Sequence, residues 1–536
     1  MKNIKLLDCT LRDGGYYNNW EFKPDLVKEY LNTMSITQVE YVEIGLRSSK
    51  NIGFKGPYAF STDIFLDELN IPDEIKIGVM INASEFKSFE GKNLIEKIST
   101  LFSNSNSSRV DLVRIASHLE EFEHSLKISK VLKDMGYEVG LNLMQISEAS
   151  NDQIVSFAQL ASAYDLNVLY FADSLGNLKP GNIDNIISNL RKGWDGEIGI
   201  HTHDNMGLAM SNSQQAYKSG ATWIDSTITG MGRGPGNLQT EYALIEFIEK
   251  EKNIHYSSVL KLIHNYFSPL KTKHNWGKNP YYYLSGLYSI NPTFIQEAIG
   301  DKRYDELEIL SLIDHLNEVG GSKYSKNISV AQMNIYNEEV DGEWCPRSDI
   351  EGKDVLILGN GPSLSEHKKG IEQFIEKTNC TVISLNHNVS ISDKFINYQA
   401  ACHPMRVIAD IHKYQNMKQP LITPFSSLPD LIKEKLEGCR ILDFGLSTNN
   451  NYFSFKDKSA NIPLPLVFPY VLAVANSGKA SKISLAGFDG YNKDDPRNDE
   501  MNYLIKLYNE NKDSCSLVSI TPSKYDLTVE SLYAIS

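Results

Sequence analysis

Two histidines separated by one residue, with an aspartate next in line, carry the first chemical signal: "IGIHTHDNMGLA", residues 198–209. In an extended strand, residues i and i+2 point to the same side. His201 and His203 therefore present two imidazoles together. Buried strands prefer aliphatic side chains, so the pair reads as metal ligation rather than core filling. A divalent ion needs further donors, and "DCTLRDGG" (8–15) offers Asp13 just past another short apolar run, with Arg12 beside it. Asp13, His201 and His203 make a mixed oxygen and nitrogen set. It suits Mn2+ first, and also Mg2+, Co2+, Zn2+ or Fe(II), with positions left for substrate. Such an ion can chelate a 2-oxo acid through its carboxylate and ketone oxygens and act as a Lewis acid. Arg12 adds fixed positive charge where enolate charge grows. The competing reading of "LRDGG" is a glycine turn with a surface ion pair. Glu43 and Arg47 in "VEIGLRSS", and Asp173 and Ser174 in "FADSLGNLKP", end two more runs. They are candidates to orient substrate, or else structural polar contacts.

These residues need strands to hold them. Short apolar runs recur at 4–9, 39–45, 75–81, 110–116, 137–143, 166–172, 197–203 and 222–228, separated by amphipathic segments. The spacing is about thirty residues, the length of a βα unit. Near-continuous apolar runs suit parallel strands covered on both faces. Eight units predict an α/β chain opening with a TIM (β/α)8 barrel, whose active site lies at the C-terminal strand ends. The competing architecture is an open doubly wound sheet. The expected organisation is a barrel over 1–260, a helical extension over 261–335 that completes the active site, a polar linker over 336–352, and a separate Rossmann-like α/β domain over 353–536.

Length agrees with two or three domains. A formal net charge of -14 argues against a nucleic-acid partner. The N-terminus reads as a strand and not a signal peptide. The most apolar later segment, "IPLPLVFPYVLAVA", has 14 residues and three prolines, too short for a membrane span. Six scattered cysteines without a C-x-x-C pair are expected as reduced thiols in a cytoplasmic protein.

In order and at strand ends, "DCTLRDGG", "FADSLGNLKP", "IGIHTHDNMGLA" and "GMGRGPGNLQTE" resemble the motifs of the DRE-TIM metallolyases, most closely the 4-hydroxy-2-oxo-acid (pyruvate-type) aldolase branch. The resemblance covers roughly residues 1–300. It implies that Asp13, His201 and His203 hold the metal with Asn237 near it, that Arg12 stabilises the enolate oxygen, and that a 2-oxo acid and an aldehyde are the substrates. It also implies pairing of barrels into a homodimer. The aldolases of that branch carry a histidine base shortly after "LRDG"; here "GGYYNNW" stands there, so Tyr16 and Tyr17 occupy its place. The family also contributes a tyrosine from its helical extension, for which "NPYYYLSGLY" offers Tyr283 or Tyr288. Isopropylmalate-synthase-like members have a glutamate and glutamine after the arginine-aspartate pair, and acyl-CoA lyases a cysteine in the glycine-rich loop. Neither is present, which disfavours a CoA-dependent Claisen condensation, the alternative within enzymes.

In the second domain, "DVLILGNGPSL" is a buried strand running into a glycine turn. Gly359 and Gly361 free backbone N–H groups to face a ligand, and a helix start favours phosphate. With "ISLNHN" and "SLAGFDGY" it resembles the nucleotide-binding fold of bacterial sialyltransferases of the "GNGPSL" type. That resemblance implies contacts from Asn360, Ser363 and Asn386 to a nucleotide or nucleotide-sugar. Asp489 is a base, a ribose contact or a turn cap. Those transferases use a histidine after the "G-x-D" strand, and this chain's last histidine is His412. A binding module, or a transferase with another base, follows. The whole is expected to be a metal-dependent aldolase tethered to a nucleotide-binding domain, in surface-polysaccharide or unusual-sugar synthesis. The alternative from another class makes the second domain a non-catalytic recruiter to a glycan machine.

Overall fold

The computed structural model describes residues 4–248, 254–300, 306–322, 336, 339–386, 390–428, 430–448, 452–492, 495 and 497–534. The chain falls into two compact units: residues 1–302 with 316–324, and residues 303–315 with 325–536.

The first unit is a closed barrel of parallel strands in chain order: β1 (Lys5–Asp8), β2 (Tyr41–Leu46), β3 (Lys76–Asn82), β4 (Val110–Ser117), β5 (Glu138–Leu143), β6 (Val168–Ala172), β7 (Glu197–His201) and β8 (Trp223–Ser226). It closes where β1 pairs β8, from Lys5↔Trp223 to Asp8↔Ser226. All eight expected strands are present. Each is apolar because its outer face packs under helices while its inner face fills the barrel.

Strand alternation layers the interior. Leu7, Tyr41, Leu112, Val168, Tyr170 and Trp223 pack as an apolar layer toward the strand starts. Two residues further on, β2, β4 and β8 present Glu43, Arg114 and Asp225, all buried. Above them stand Ala116, Asn142, Ala172 and His201, which open on the mouth. An apolar floor, a charged middle and a polar mouth thus follow from the two-residue period alone.

The second unit holds a parallel sheet. Its strands are β9 (Asp354–Leu358), β10 (Thr381–Leu385), β11 (Tyr398–Ala400), β12 (Leu421–Thr423) and β13 (Ile441–Asp443). After a small sheet of β14 (Gly445–Thr448), β15 (Ser454–Phe455) and β16 (Ser459–Ile462) come β17 (Lys482–Ala486), β18 (Leu517–Ser519) and β19 (Thr528–Val529). The order is β13-β12-β11-β10-β9-β17-β18-β19. From β9 the chain winds outward one way through β13, then returns to the other side of β9 with β17. That is a doubly wound sheet with its switch point between β9 and β17.

The apolar segment noted in the sequence is the helix Val467–Ser477, buried along its whole length. Among the described residues no helix is long and apolar enough to cross a membrane. All six cysteines are free. The stretch 336–352, expected as a linker, contributes Tyr336 and Ile350 to the second unit's core. Part of the expected helical extension, residues 323–335, lies outside the described residues.

Candidate metal centre and active site

The site begins with Asp8 at the end of β1. Its buried carboxylate accepts from the Thr10 backbone N–H (2.8 Å) and from the hydroxyls of Thr10, Tyr30 and Thr240. This bends the chain into the turn Thr10–Gly14, whose Arg12 and Asp13 face the mouth. The Trp20 indole N–H holds the turn from behind through the Arg12 carbonyl (2.9 Å).

Arg12 donates through Nε to Glu43 (2.7 Å) and through Nη1 to Asp13 (2.8 Å). Glu43 also accepts from Arg114 Nε (2.7 Å) and Nη2 (2.8 Å). Arg114 Nη1 reaches Asp225 (2.7 Å), whose same oxygen meets His201 Nδ1 (2.8 Å). His201 Nε2 lies 3.6 Å from Asp13 Oδ2 and closes the ring. All six side chains are buried. Two guanidiniums face three carboxylates, so one negative charge is unmatched. Burial alone would raise the Asp13 carboxyl, but Arg12 and the two imidazoles hold it well below the usual carboxylate range. Burial, reinforced by His201, lowers the His203 imidazole to about 3, so it is neutral and able to donate a lone pair.

Asp13, His201 and His203 each offer a donor atom, and these atoms lie within 4.8 Å of one another. The His201 and His203 rings stand nearly perpendicular, 5.2 Å apart. Each is steered through Nδ1, His201 by Asp225 and His203 by the Ser174 carbonyl (3.3 Å), as metal-binding imidazoles are. Asn237 donates to Asp13 Oδ2 and keeps a buried Oδ1 without a hydrogen-bond partner. A Cβ on Gly232 would stand 3.0 Å from Asp13 Oδ2 and 2.5 Å from the Asn237 amide, so only glycine lets this loop close on the donors. Unmatched negative charge, oriented neutral imidazoles and an orphaned amide oxygen fit a divalent cation. A second cluster, Cys9, His201 and Asp225, fits poorly. Its Asp225 oxygen is already shared by Arg114 and His201, and burial pushes the Cys9 thiol well up, away from a thiolate.

The mouth encloses about 470 Å³. Arg12, Asp13, His201, His203, Ser174 and Tyr16 line it. Tyr16 is 43% exposed, edge-on to Trp20 and beside Arg233. Glu43 lies beneath, in the charged layer. Arg47 is turned away: its guanidinium bonds the Ser61 carbonyl and Asp63. The cause is a register shift in β2 between Glu43 and Gly45, which reverses the alternation so that Leu46 faces the mouth. Asp173 accepts from the backbone N–H groups of Asn177 and Leu178 and shapes that loop. Burial raises its carboxyl to about 7. Tyr283 and Tyr288 are exposed and outside the cavity lining. The helix Pro280–Leu287 buries Tyr282, Ser285 and Gly286, so the tyrosine turned inward is Tyr282, against Gly234 of the glycine loop.

Arg114 and Asp225 escaped the sequence reading, although a charge inside "VDLVRIA" or "TWIDSTI" was a signal. His118, Asn142, Arg233 and Asn291 also line the mouth and were not anticipated.

In the second unit, Gly359, Asn360, Gly361 and Ser363 follow β9, Asn386 follows β10 and Asp489 follows β17, all at the C-terminal edge by the switch point. Asp489 accepts from the Ser363 backbone N–H (3.1 Å) and hydroxyl (2.8 Å). A Cβ on Gly361 would lie 2.0 Å from that carboxylate. Asn386 adopts φ 53° and keeps a buried Oδ1 without a hydrogen-bond partner.

A closed parallel barrel with oxygen and nitrogen donors at its C-terminal mouth defines a (β/α)8 protein with a candidate metal centre. Residues 3–264 match the HMGL-like family, and through this half the chain belongs to that family. It is similar to the 4-hydroxy-2-oxovalerate aldolase of Carboxydothermus hydrogenoformans, 28% identical over 247 residues, which is 45% of this chain and 69% of the relative. It is also similar to an oxaloacetate decarboxylase of Mycobacterium tuberculosis, 26% identical over 240 residues, 44% of this chain and 67% of that one. A crystal structure of the N-terminal domain of a Bacteroides vulgatus protein assigned as an aldolase aligns with TM-score 0.51 and 31% identity, over 56% of this chain and 98% of that one.

Proposed function

We propose that the barrel is a divalent-metal-dependent aldolase that makes or breaks the carbon–carbon bond next to the 2-oxo group of pyruvate. The observation carrying this is the buried set of Asp13, His201 and His203, with Asn237 beside it and Arg12 at its edge. An aldolase of a 4-hydroxy-2-oxo acid and a decarboxylase of oxaloacetate both break the C3–C4 bond of a 2-oxo acid and leave pyruvate enolate, so the two relatives' names support one electron flow. An ion held by these donors supplies Lewis acidity toward the carboxylate and keto oxygens. Arg12, fixed by Glu43 and Asp13, has no partner for Nη2 among the described residues and stabilises the growing enolate charge. Asn142, buried with an unpartnered Oδ1 in the lining, is a ready hydrogen-bond acceptor for a substrate hydroxyl.

The test is metal-dependent exchange of pyruvate methyl protons with deuterium, followed by NMR. Exchange is expected in the wild type and lost in His201→Ala together with bound metal. A metal-loaded wild type that exchanges nothing would overturn the reading. Release of free CoA from acetyl-CoA and a 2-oxo acid would replace it with a Claisen condensation.

For the second unit we infer nucleotide or nucleotide-sugar binding at the β9/β17 switch point, where open α/β sheets take ligands. Coupled to the barrel, this supports a role in assembling an unusual acidic sugar. Calorimetric titration of the full chain with CMP and UDP-sugars tests it, and no heat with any of them would refute it.

A further inference from the structure

The proton-transfer group is missing from its expected place after "LRDG", and the opposite wall of the mouth supplies one. In a closed eight-stranded barrel β4 lies across the axis from β8, while the metal donors follow β1 and β7, which flank β8. His118 follows β4 directly and lines the same cavity as Asp13, His201 and His203. Its Nδ1 lies 3.2 Å from Gln145 Oε1.

Gln145 is held on two sides: its backbone N–H donates to Ser174 Oγ (2.9 Å), and its Nε2 donates to the Ser322 carbonyl (3.0 Å). That second bond fixes the tautomer. A carbonyl can only accept, so the Gln145 amide nitrogen must face Ser322 and the amide oxygen must face His118. An oxygen acceptor at Nδ1 places the imidazole proton there and leaves the Nε2 lone pair free to act as a base. Gln145 itself sits in the left-handed region (φ 54°), a conformation adopted where tertiary contacts over-determine a side chain.

We propose that His118, oriented by Gln145, is the base for the acceptor hydroxyl, an inference that rests on the aldolase reading. A 2-oxo acid anchored by its carboxylate and ketone on the β7/β1 side extends its C4 hydroxyl toward β4. His118 Nε2 takes the hydroxyl proton, the C3–C4 bond breaks, and its electron pair passes to C3 and on to the keto oxygen as the enolate. The aldehyde leaves. The enolate carbon takes a proton from water and yields pyruvate, while His118 returns its proton to solvent.

The probes are pyruvate with glycolaldehyde, glyceraldehyde or erythrose, and the adducts so formed for the cleavage direction. In His118→Ala, aldol turnover is expected to fall about 100- to 10,000-fold. Bound metal and pyruvate methyl exchange should stay within about threefold of wild type, because enolisation does not use this proton. Added imidazole should restore part of the aldol rate, which a structural role for His118 would not permit. In Gln145→Leu, 15N-histidine NMR should show the single Nδ1–H form of His118 give way to a tautomer mixture. Equal loss of exchange and turnover in His118→Ala, or no loss of either, overturns the inference while leaving pyruvate enolisation in place. If wild type exchanges pyruvate protons but turns over none of the aldehydes, the aldolase reading and this inference fall together. If wild type does not exchange at all, the metal-enolate reading has failed first.

Discussion

Both units bring an aspartate to the C-terminal edge of a parallel sheet beside a glycine turn, and the two carboxylates end in opposite circumstances. Asp489 is used by its own neighbourhood: it accepts from the Ser363 backbone and hydroxyl, and Gly361 is a glycine because that carboxylate presses on it. Asp13 is held by a cation on one oxygen and faces an imidazole with the other. The difference lies in the layer beneath. Under Asp13, Glu43, Arg114 and Asp225 form a buried charged tier that fixes Arg12 and His201. Beneath Asp489 the sheet is aliphatic: Val355, Leu356, Ile357 and Leu358 in β9, Ile483 and Leu485 in β17. A carboxylate becomes a candidate ligand when its surroundings neutralise it only in part, and a structural pin when hydrogen-bond donors saturate it.

The most severe way to break this contrast is Arg114→Leu. It strands Glu43 and Asp225 in the barrel interior without a guanidinium between them. Removing one partner of a buried ion pair costs about 3–5 kcal/mol. The expected result is a large drop in the urea midpoint of the barrel and loss of bound metal, read by circular dichroism and by elemental analysis of the purified protein. A shift below about 1 kcal/mol would mean that the charged tier is not what holds the site.

Asp225→Asn is milder and more specific. Asp225 is held below the usual carboxylate range because the opposing effect of burial is outweighed by Arg114 and the bond to His201. An amide keeps the shape and removes the charge. The His201 ring loses the anionic partner that fixes its orientation, a change that typically weakens metal binding about 10- to 100-fold. Competition against a chelator of known affinity measures this. Unchanged affinity would show that His201 is oriented by something other than Asp225.

What the sequence revealed, and what it hid, divides along the same physical line. The eight strands were legible because each is a nearly continuous apolar run, the mark of burial on both faces. The histidine pair was legible because alternation puts i and i+2 on one side. Phase was not. When both faces are buried, hydropathy does not say which residues point into the barrel, so Arg114 in "VDLVRIA" did not declare itself as interior. Arg47 was misplaced because an extra residue in β2 reverses the alternation after Glu43. Three consecutive tyrosines likewise hide helical phase, and only packing selects Tyr282. His118 and Gln145 come from loops after different strands, and nothing local announces that they meet. In the second unit the glycine turns were visible, but the very short strands β11, β12 and β18 were not. The switch point could be placed only once β17 was seen to pair with β9.

The smallest predicted effect sharpens the comparison most, because it repeats one chemical change in the other unit. In Asp489→Asn the amide oxygen can still accept from the Ser363 backbone N–H, and the amide nitrogen can donate to the Ser363 hydroxyl, which has lone pairs to receive it. No buried cation loses a counter-ion. The expected cost is below about 0.5 kcal/mol, whereas Asp489→Ala, which removes every one of these bonds, should cost about 1–3 kcal/mol. Hydrogen exchange at the Ser363 amide reads both directly: protection near wild type in the asparagine variant, and lost in the alanine variant. Metal content of the barrel should not move in either. If Asp489→Asn instead loosened the turn as far as alanine does, the negative charge itself would be at work in the second unit. Asp489 would then belong with Asp13 and Asp225 rather than opposite them.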